Sequence, residues 1–123
     1  MAATAIVLSG DILPTRPLRD PPPAAAAIYD RVRAADLAVG NLEMVLSDRG
    51  TKVQKLLNLR APAALAADVP VLGFDVLTIA NNHAVDYGWE GLADTRDGLA
   101  AAGLDVIGAG ETRALAATPV FRD

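Results

Sequence analysis

Phe74-Asp75-Val76-Leu77-Thr78-Ile79-Ala80-Asn81-Asn82-His83 is the stretch on which the fold reading turns. Phe74–Ile79 is an apolar, partly β-branched run of the kind that forms a buried strand, and it ends on two amides and the chain's single histidine. Downstream, Trp89–Ala102 sets Leu92, Thr95 or Arg96, and Leu99 at helical spacing, with Gly103 placed to end the helix. Asp105–Ile107 then gives another short strand, closed by Gly108-Ala109-Gly110. Upstream, Thr4–Leu8 reads as a buried strand turning at Ser9-Gly10-Asp11, and Asp36–Val39 as a strand stopped by Gly40-Asn41. Between them, Asp20 followed by Pro21-Pro22-Pro23 marks a helix entry, with Asp20 as cap. The helix would cover Ala24–Ala35 and carry Ile28 and Val32 on one face.

The segment Ser47–Leu59 has no clear period: Asp48–Thr51 is turn-like, and Lys52–Leu59 reads as a strand or an irregular loop. Pro62–Val69 predicts a short helix that Pro70 breaks or kinks. Thr118–Phe121 looks like the start of one more strand. Strands alternating with helices, the strands continuous in apolar residues, predict an α/β fold with a mainly parallel sheet and flanking helices.

Composition agrees and excludes several classes. At 123 residues, 52% hydrophobic and 21% charged, the chain has the profile of one globular domain. Aromatics are only 4%, so the core must be built from Ala, Val, Leu and Ile. A net charge of −4 argues against a nucleic-acid partner, which a basic stripe would serve. Without cysteine, any metal must be held by oxygen and imidazole. No window approaches the roughly 20 apolar residues of a membrane span. The opening Met1–Leu8 lacks a basic start and reads as a strand rather than a signal peptide, so the localisation expected by default is cytoplasmic.

The polar residues that can do chemistry all follow predicted strands. Asp11 ends the first, Asn41 and Glu43 the second, and Asn81, Asn82 and His83 the third. Ligands of open α/β sheets bind beyond the carboxyl ends of the strands, so one rim receives all three groups. Asp11 and Glu43 offer anionic oxygen, Asn82 a neutral oxygen, and His83 a ligand or a general acid. Asp86 is placed to orient His83 through its second ring nitrogen. Ordinary structural roles stand beside these. Asp11 and the asparagines suit turns, Glu43 suits a solvated loop, and a lone histidine is often structural. Asp86 is also a possible cap for the Trp89–Ala102 helix. Lys52, Lys55 and Arg60 read as surface cations, with Arg60 able to reach an anionic substrate.

These residues together resemble the CapA family of bacterial capsule and poly-γ-glutamate synthesis proteins, which have a metallophosphoesterase-like (calcineurin-like) fold. Ser9–Leu13 resembles the family's opening motif, and Ala35–Glu43 its A-D-L-x-x-G-N-L-E segment. Arg60-Ala61-Pro62 and Gly73–Val76 resemble the stretch before its third motif, and Ala80–Gly88 is the most specific match. The resemblance implies metal ligands at Asp11, Asn41, Glu43 and Asn82, catalytic roles for His83 and Asp86, and substrate contacts from Arg60 and Asn81. It implies a divalent cofactor, manganese, iron, magnesium or zinc, dinuclear in the complete site. It also implies an acidic polymer or phosphoester substrate, capsule-synthesis partner proteins, and a family often found at or outside the membrane. Residues 1–123 would form the N-terminal part of a single larger domain, with an incomplete phosphoesterase-type site. The alternative is a non-catalytic α/β module that holds an acidic polymer or a partner chain. Two departures stand out: Asp11 is followed by Ile12-Leu13 instead of the D-x-H opening, and one histidine cannot fill the family's later histidine motifs.

Overall fold

The expected alternation of strand and helix is realised in a computed structural model, which describes residues 3–122. Met1 and Ala2 of the opening segment lie outside the described residues. In chain order the elements are β1 (Ile6–Ile12), α1 (Pro23–Arg33), β2 (Leu37–Leu42), β3 (Val45–Leu46) and β4 (Arg60–Ala61). A 3-10 helix (Ala63–Leu72), β5 (Val76–Thr78), α2 (Gly88–Ala101), β6 (Asp105–Ile107) and α3 (Arg113–Ala116) follow. The main sheet has the order β1-β2-β5-β6, and every pairing in it is parallel. This is an α/β architecture, consistent with part of a metallophosphoesterase-like fold.

Register decides which side chains share a face. Val7 pairs with Ala38 and Gly40 with Leu77, so these residues line one side of the sheet. That side is sealed: Ala38 and Leu77 are fully buried in one cluster with Val32, Leu65, Val69, Leu92 and Leu99 from the helices. On the other face, Ile6 pairs with Leu37 and Leu8 with Val39. There Ile6 is 58% and Leu8 76% exposed. The expected buried first strand is therefore an edge strand, with only Val7 and Ile12 packed on the core.

Several local expectations are corrected. β2 does not stop at Gly40-Asn41 but runs to Leu42, because Gly40 is a packing residue. A Cβ there would lie 2.5 Å from Ile12 Cδ1 and 3.1 Å from the Phe74 ring. Helix α1 starts behind Pro22 with no side-chain cap, so Asp20 does not serve as one. Its buried residue is Val32, whereas Ile28 stands 61% exposed. Thr95, not Arg96, is the buried partner of Leu92 and Leu99 on α2.

Pro70 does not end its helix. The segment from Ala63 to Leu72 stays in 3-10 turns, whose short i to i−3 bonds tolerate one missing amide, and it closes where the Gly73 amide donates to the Pro70 carbonyl. The Ser47–Leu59 segment is irregular, but β3 and β4 on either side of it pair in parallel, an arrangement too short to show as a sequence period. Residues 118–121 form no strand, since Pro119 lacks an amide donor. Instead Arg122 anchors this stretch, donating to Asp105 Oδ2 (2.9 Å) and to the Asp75 carbonyl (3.0 Å).

Candidate functional site

The carboxyl ends of β1, β2 and β5 do converge, and a β-bulge is what makes them meet. Leu8 pairs with Val39, yet the next registered pair is Asp11 with Asn41, so β1 holds one residue more than β2 over this span. Without that extra residue Asp11 would fall out of step with Asn41, its side chain on the opposite face. With it, the Asn41 amide Nδ2 donates to Asp11 Oδ1 at 2.9 Å and to Glu43 Oε2 at 2.5 Å. Asn41 Oδ1 accepts from Asn81 Nδ2 at 3.0 Å, and the same Asn81 nitrogen donates to the Leu42 carbonyl at 2.8 Å. Asn81 Oδ1 in turn accepts the His83 amide at 3.0 Å. One chain of hydrogen bonds thus links Asp11, Glu43, Asn41, Asn81 and the turn that carries His83.

His83 itself is buried, and its Nδ1 lies 2.7 Å from Asp86 Oδ2. Asp86 does not cap α2, where Tyr87 holds the cap position. Its fully buried carboxylate also accepts from the Leu59 amide at 2.6 Å and from Lys55 Nζ at 2.6 Å. Burial by itself pushes the Asp86 carboxyl up. The hydrogen bonds from Lys55, His83 and the Leu59 amide outweigh it and hold the group below the ordinary carboxylate range. Lys55 bridges further, donating to the Asn82 carbonyl at 2.8 Å.

The remaining expected residues divide. Asn82 is exposed and, among the described residues, contributes its carbonyl but no side-chain hydrogen bond. Both polar atoms of the Asn81 amide are engaged by protein groups, so this side chain braces the rim. Arg60 is exposed, its guanidinium 4.1 Å above the Tyr87 ring, beside the Asp86 turn. Lys55, read from the sequence as a surface cation, is a member of the site. The signal for it was indirect: a buried aspartate needs a counter-charge, and the irregular segment leading to Leu59-Arg60 offered the nearest lysines. Lys52 is exposed and, among the described residues, makes no such contact.

The donor set fits a metal only in part. Asp11 and Glu43 present two carboxylates to one point, where the Asn41 NH2 group stands between them. His83 is turned to Asp86 through Nδ1, and among the described residues no three acidic or imidazole side chains come together to hold an ion.

Residues 5–123 match the family model described as "Bacterial capsule synthesis protein PGA_cap". The chain belongs to this family. Its relatives include the uncharacterized protein y4sH of Sinorhizobium fredii, 32% identical over 119 residues, or 90% of this chain and 26% of the relative. The capsule biosynthesis protein CapA of Bacillus anthracis is 38% identical over 84 residues, 65% of this chain and 20% of the relative. The PGA biosynthesis protein CapA of Bacillus subtilis is 35% identical over 80 residues, covering 63% and 21% respectively. The chain spans between a fifth and about a quarter of the length of these relatives.

Proposed function

We propose that this PGA_cap-family chain serves in the synthesis of bacterial capsular or poly-γ-glutamate polymer, and that its rim handles an anionic group of the substrate by proton transfer through His83. The observation that carries this reading is the buried His83–Asp86 pair at the carboxyl end of β5. Asp86 accepts only, so Nδ1 bears the proton and Nε2 is left to exchange one with a substrate oxygen. An anionic Asp86 stabilises the imidazolium while it holds a proton for a leaving group. Arg60, held over Tyr87, supplies a cation for a carboxylate or a phosphoryl oxygen.

The phosphoester branch of this proposal brings in a divalent ion. Asp11 and Glu43 would be its anionic ligands and Asn82 a neutral one. Asn41, whose NH2 group faces the two carboxylates, would join them only with its amide turned over. The ion would polarise a phosphoryl oxygen. Because this set is short of a full coordination sphere, binding by the chain is weak.

The reading is tested by titrating the chain with poly-γ-glutamate oligomers and following the fluorescence of its one tryptophan, Trp89, which lines the same end of the sheet as Asn81 and Asn82. Saturable binding that weakens about tenfold in Arg60→Ala supports it. Equal binding by wild type and variant, or none by either, removes the polymer from this rim. A second reading, an assembly module, is favoured by the exposed Ile6 and Leu8 on edge strand β1.

A further inference from the structure

The irregular segment between β3 and β4 lies against the turn that carries His83. Gly50 has φ +84°, and a Cβ there would fall 2.0 Å from the Tyr87 carbonyl, so only glycine lets the two backbones approach this closely. The Val53 amide donates to the Asp86 carbonyl at 2.9 Å, and Asn58 Nδ2 donates to the same oxygen at 3.3 Å. These contacts hold the backbone of the segment in place. None of them reaches the imidazole.

Lys55 does reach it, through Asp86. Its ammonium has three hydrogens and no lone pair, and two of its contacts are fixed acceptors: Asp86 Oδ1 at 2.6 Å and the Asn82 carbonyl at 2.8 Å. The 3.4 Å approach to His83 Nδ1 joins two donors and is not a hydrogen bond, because Nδ1 gives its proton to Asp86 Oδ2. The carboxylate is thereby divided. Oδ1 faces Lys55, while Oδ2 faces the Leu59 amide and the imidazole. Either oxygen of an ionised carboxylate accepts from Nδ1, so the tautomer depends on Asp86 staying ionised. A fully buried carboxyl without Lys55 would lose its fixed cation, and once protonated would donate to Nδ1 and move the ring proton to Nε2. Lys55 keeps that carboxylate ionised and also ties the Asn82 carbonyl, on the residue next to His83.

We propose that Lys55 is the positioning residue of the site: by clamping Asp86 Oδ1 and the Asn82 carbonyl it holds His83 as the Nδ1–H tautomer with Nε2 facing away from Asp86. The catalytic consequence rests on the role given to His83 above, whereas the tautomer does not. The Lys55 side chain is 28% exposed. A neutral side chain of equal length would fill the same space and lose the clamp.

The chain's single histidine makes the test direct, since one imidazole spin system reports the site. The 15N spectrum of the ring is recorded at one fixed pH above the imidazole range, about 8.5, in the 123-residue chain and in Lys55→Met and Lys55→Arg. The wild type shows Nδ1 as the proton-bearing nitrogen and Nε2 as the bare one. Lys55→Met moves both signals toward the averaged values of exchanging tautomers, while backbone amide signals of β1, β2 and α2 stay in place. Lys55→Arg, which keeps a cation at Asp86, retains the wild-type pattern. Unchanged ring signals in a folded Lys55→Met, or an Nε2–H tautomer in the wild type, overturn the proposal. If Lys55→Met does not fold, Lys55→Gln is read by the same criterion. Failure of polymer binding leaves these spectra unaffected, so the two readings fail separately.

Discussion

Asn41 reaches Asp11 across the β1–β2 ladder, Nδ2 to Oδ1 at 2.9 Å, only because the bulge after Leu8 brings the two residues into register. The same nitrogen bonds Glu43, so one NH2 group holds two carboxylates that would otherwise repel each other. Asn41→Asp replaces that donor with a third anion. Stability falls by about 1–3 kcal/mol, the worth of hydrogen bonds to charged groups plus like-charge repulsion in a half-exposed setting. Millimolar manganese restores much of the loss, because three carboxylates then face one point. Thermal melts of both proteins with and without manganese check this; a variant indifferent to the metal refutes it.

Asp86 gives the chain an acid-sensitive element. Its folded carboxyl binds a proton less readily than the unfolded one, so its contribution is complete above the ordinary carboxylate range and disappears as pH falls through the folded value. Asp68, which pairs with Arg19, and Asp94, which accepts from Arg49 and Ser47, are held low in the same direction. Urea unfolding of the wild type is therefore expected to weaken steeply between about pH 5 and pH 2. Asp86→Asn flattens part of that slope. At neutral pH it destabilises by about 3 kcal/mol, the lower end for breaking a buried pair, since Lys55 keeps some contact with water. Parallel slopes in the two proteins would assign the acid lability elsewhere.

Among the described residues only two carboxylates of the rim meet, so the chain should bind manganese weakly and hydrolyse a generic phosphomonoester slowly or not at all. Calorimetric titration and a chromogenic assay measure both. Robust manganese-dependent turnover that disappears in His83→Ala would show that the described residues suffice for the chemistry.

How much of this is legible in the sequence depends on the range of the interaction. The order of strands and helices, the α2 face of Leu92, Thr95 and Leu99, and the arrival of Asp11, Asn41 and Asn81 at one rim follow from local periodicity and the rule for parallel sheets. The bulge in β1 leaves no mark in the sequence, because Ser9-Gly10 reads equally well as a turn. Gly40 misled for a related reason: its job is to admit Ile12 and Phe74, and a close approach between distant residues leaves no local trace. Lys55 lies 31 positions from Asp86 in a segment without periodicity, so nothing near it in the chain marked it as more than a surface lysine.

The open face of β1 sets the last expectation. Parallel sheets are ordinarily covered on both sides, yet Ile6 and Leu8 stand 58% and 76% exposed beside the half-buried Leu37 and Val39. Among the described residues β1 also ends the sheet, and its outer backbone groups have no partner strand. Apolar surface next to an unpaired edge drives association, and the chain should self-associate with rising concentration in light scattering after size exclusion. Leu8→Lys places a charge on that face without touching the sealed side, where Val7 packs. It should shift the population toward monomer while leaving the melting temperature within a degree or two, as for an exposed substitution. A wild type that stays monomeric at high concentration would mean that the exposed face does not drive association, and would remove the main support for the assembly reading.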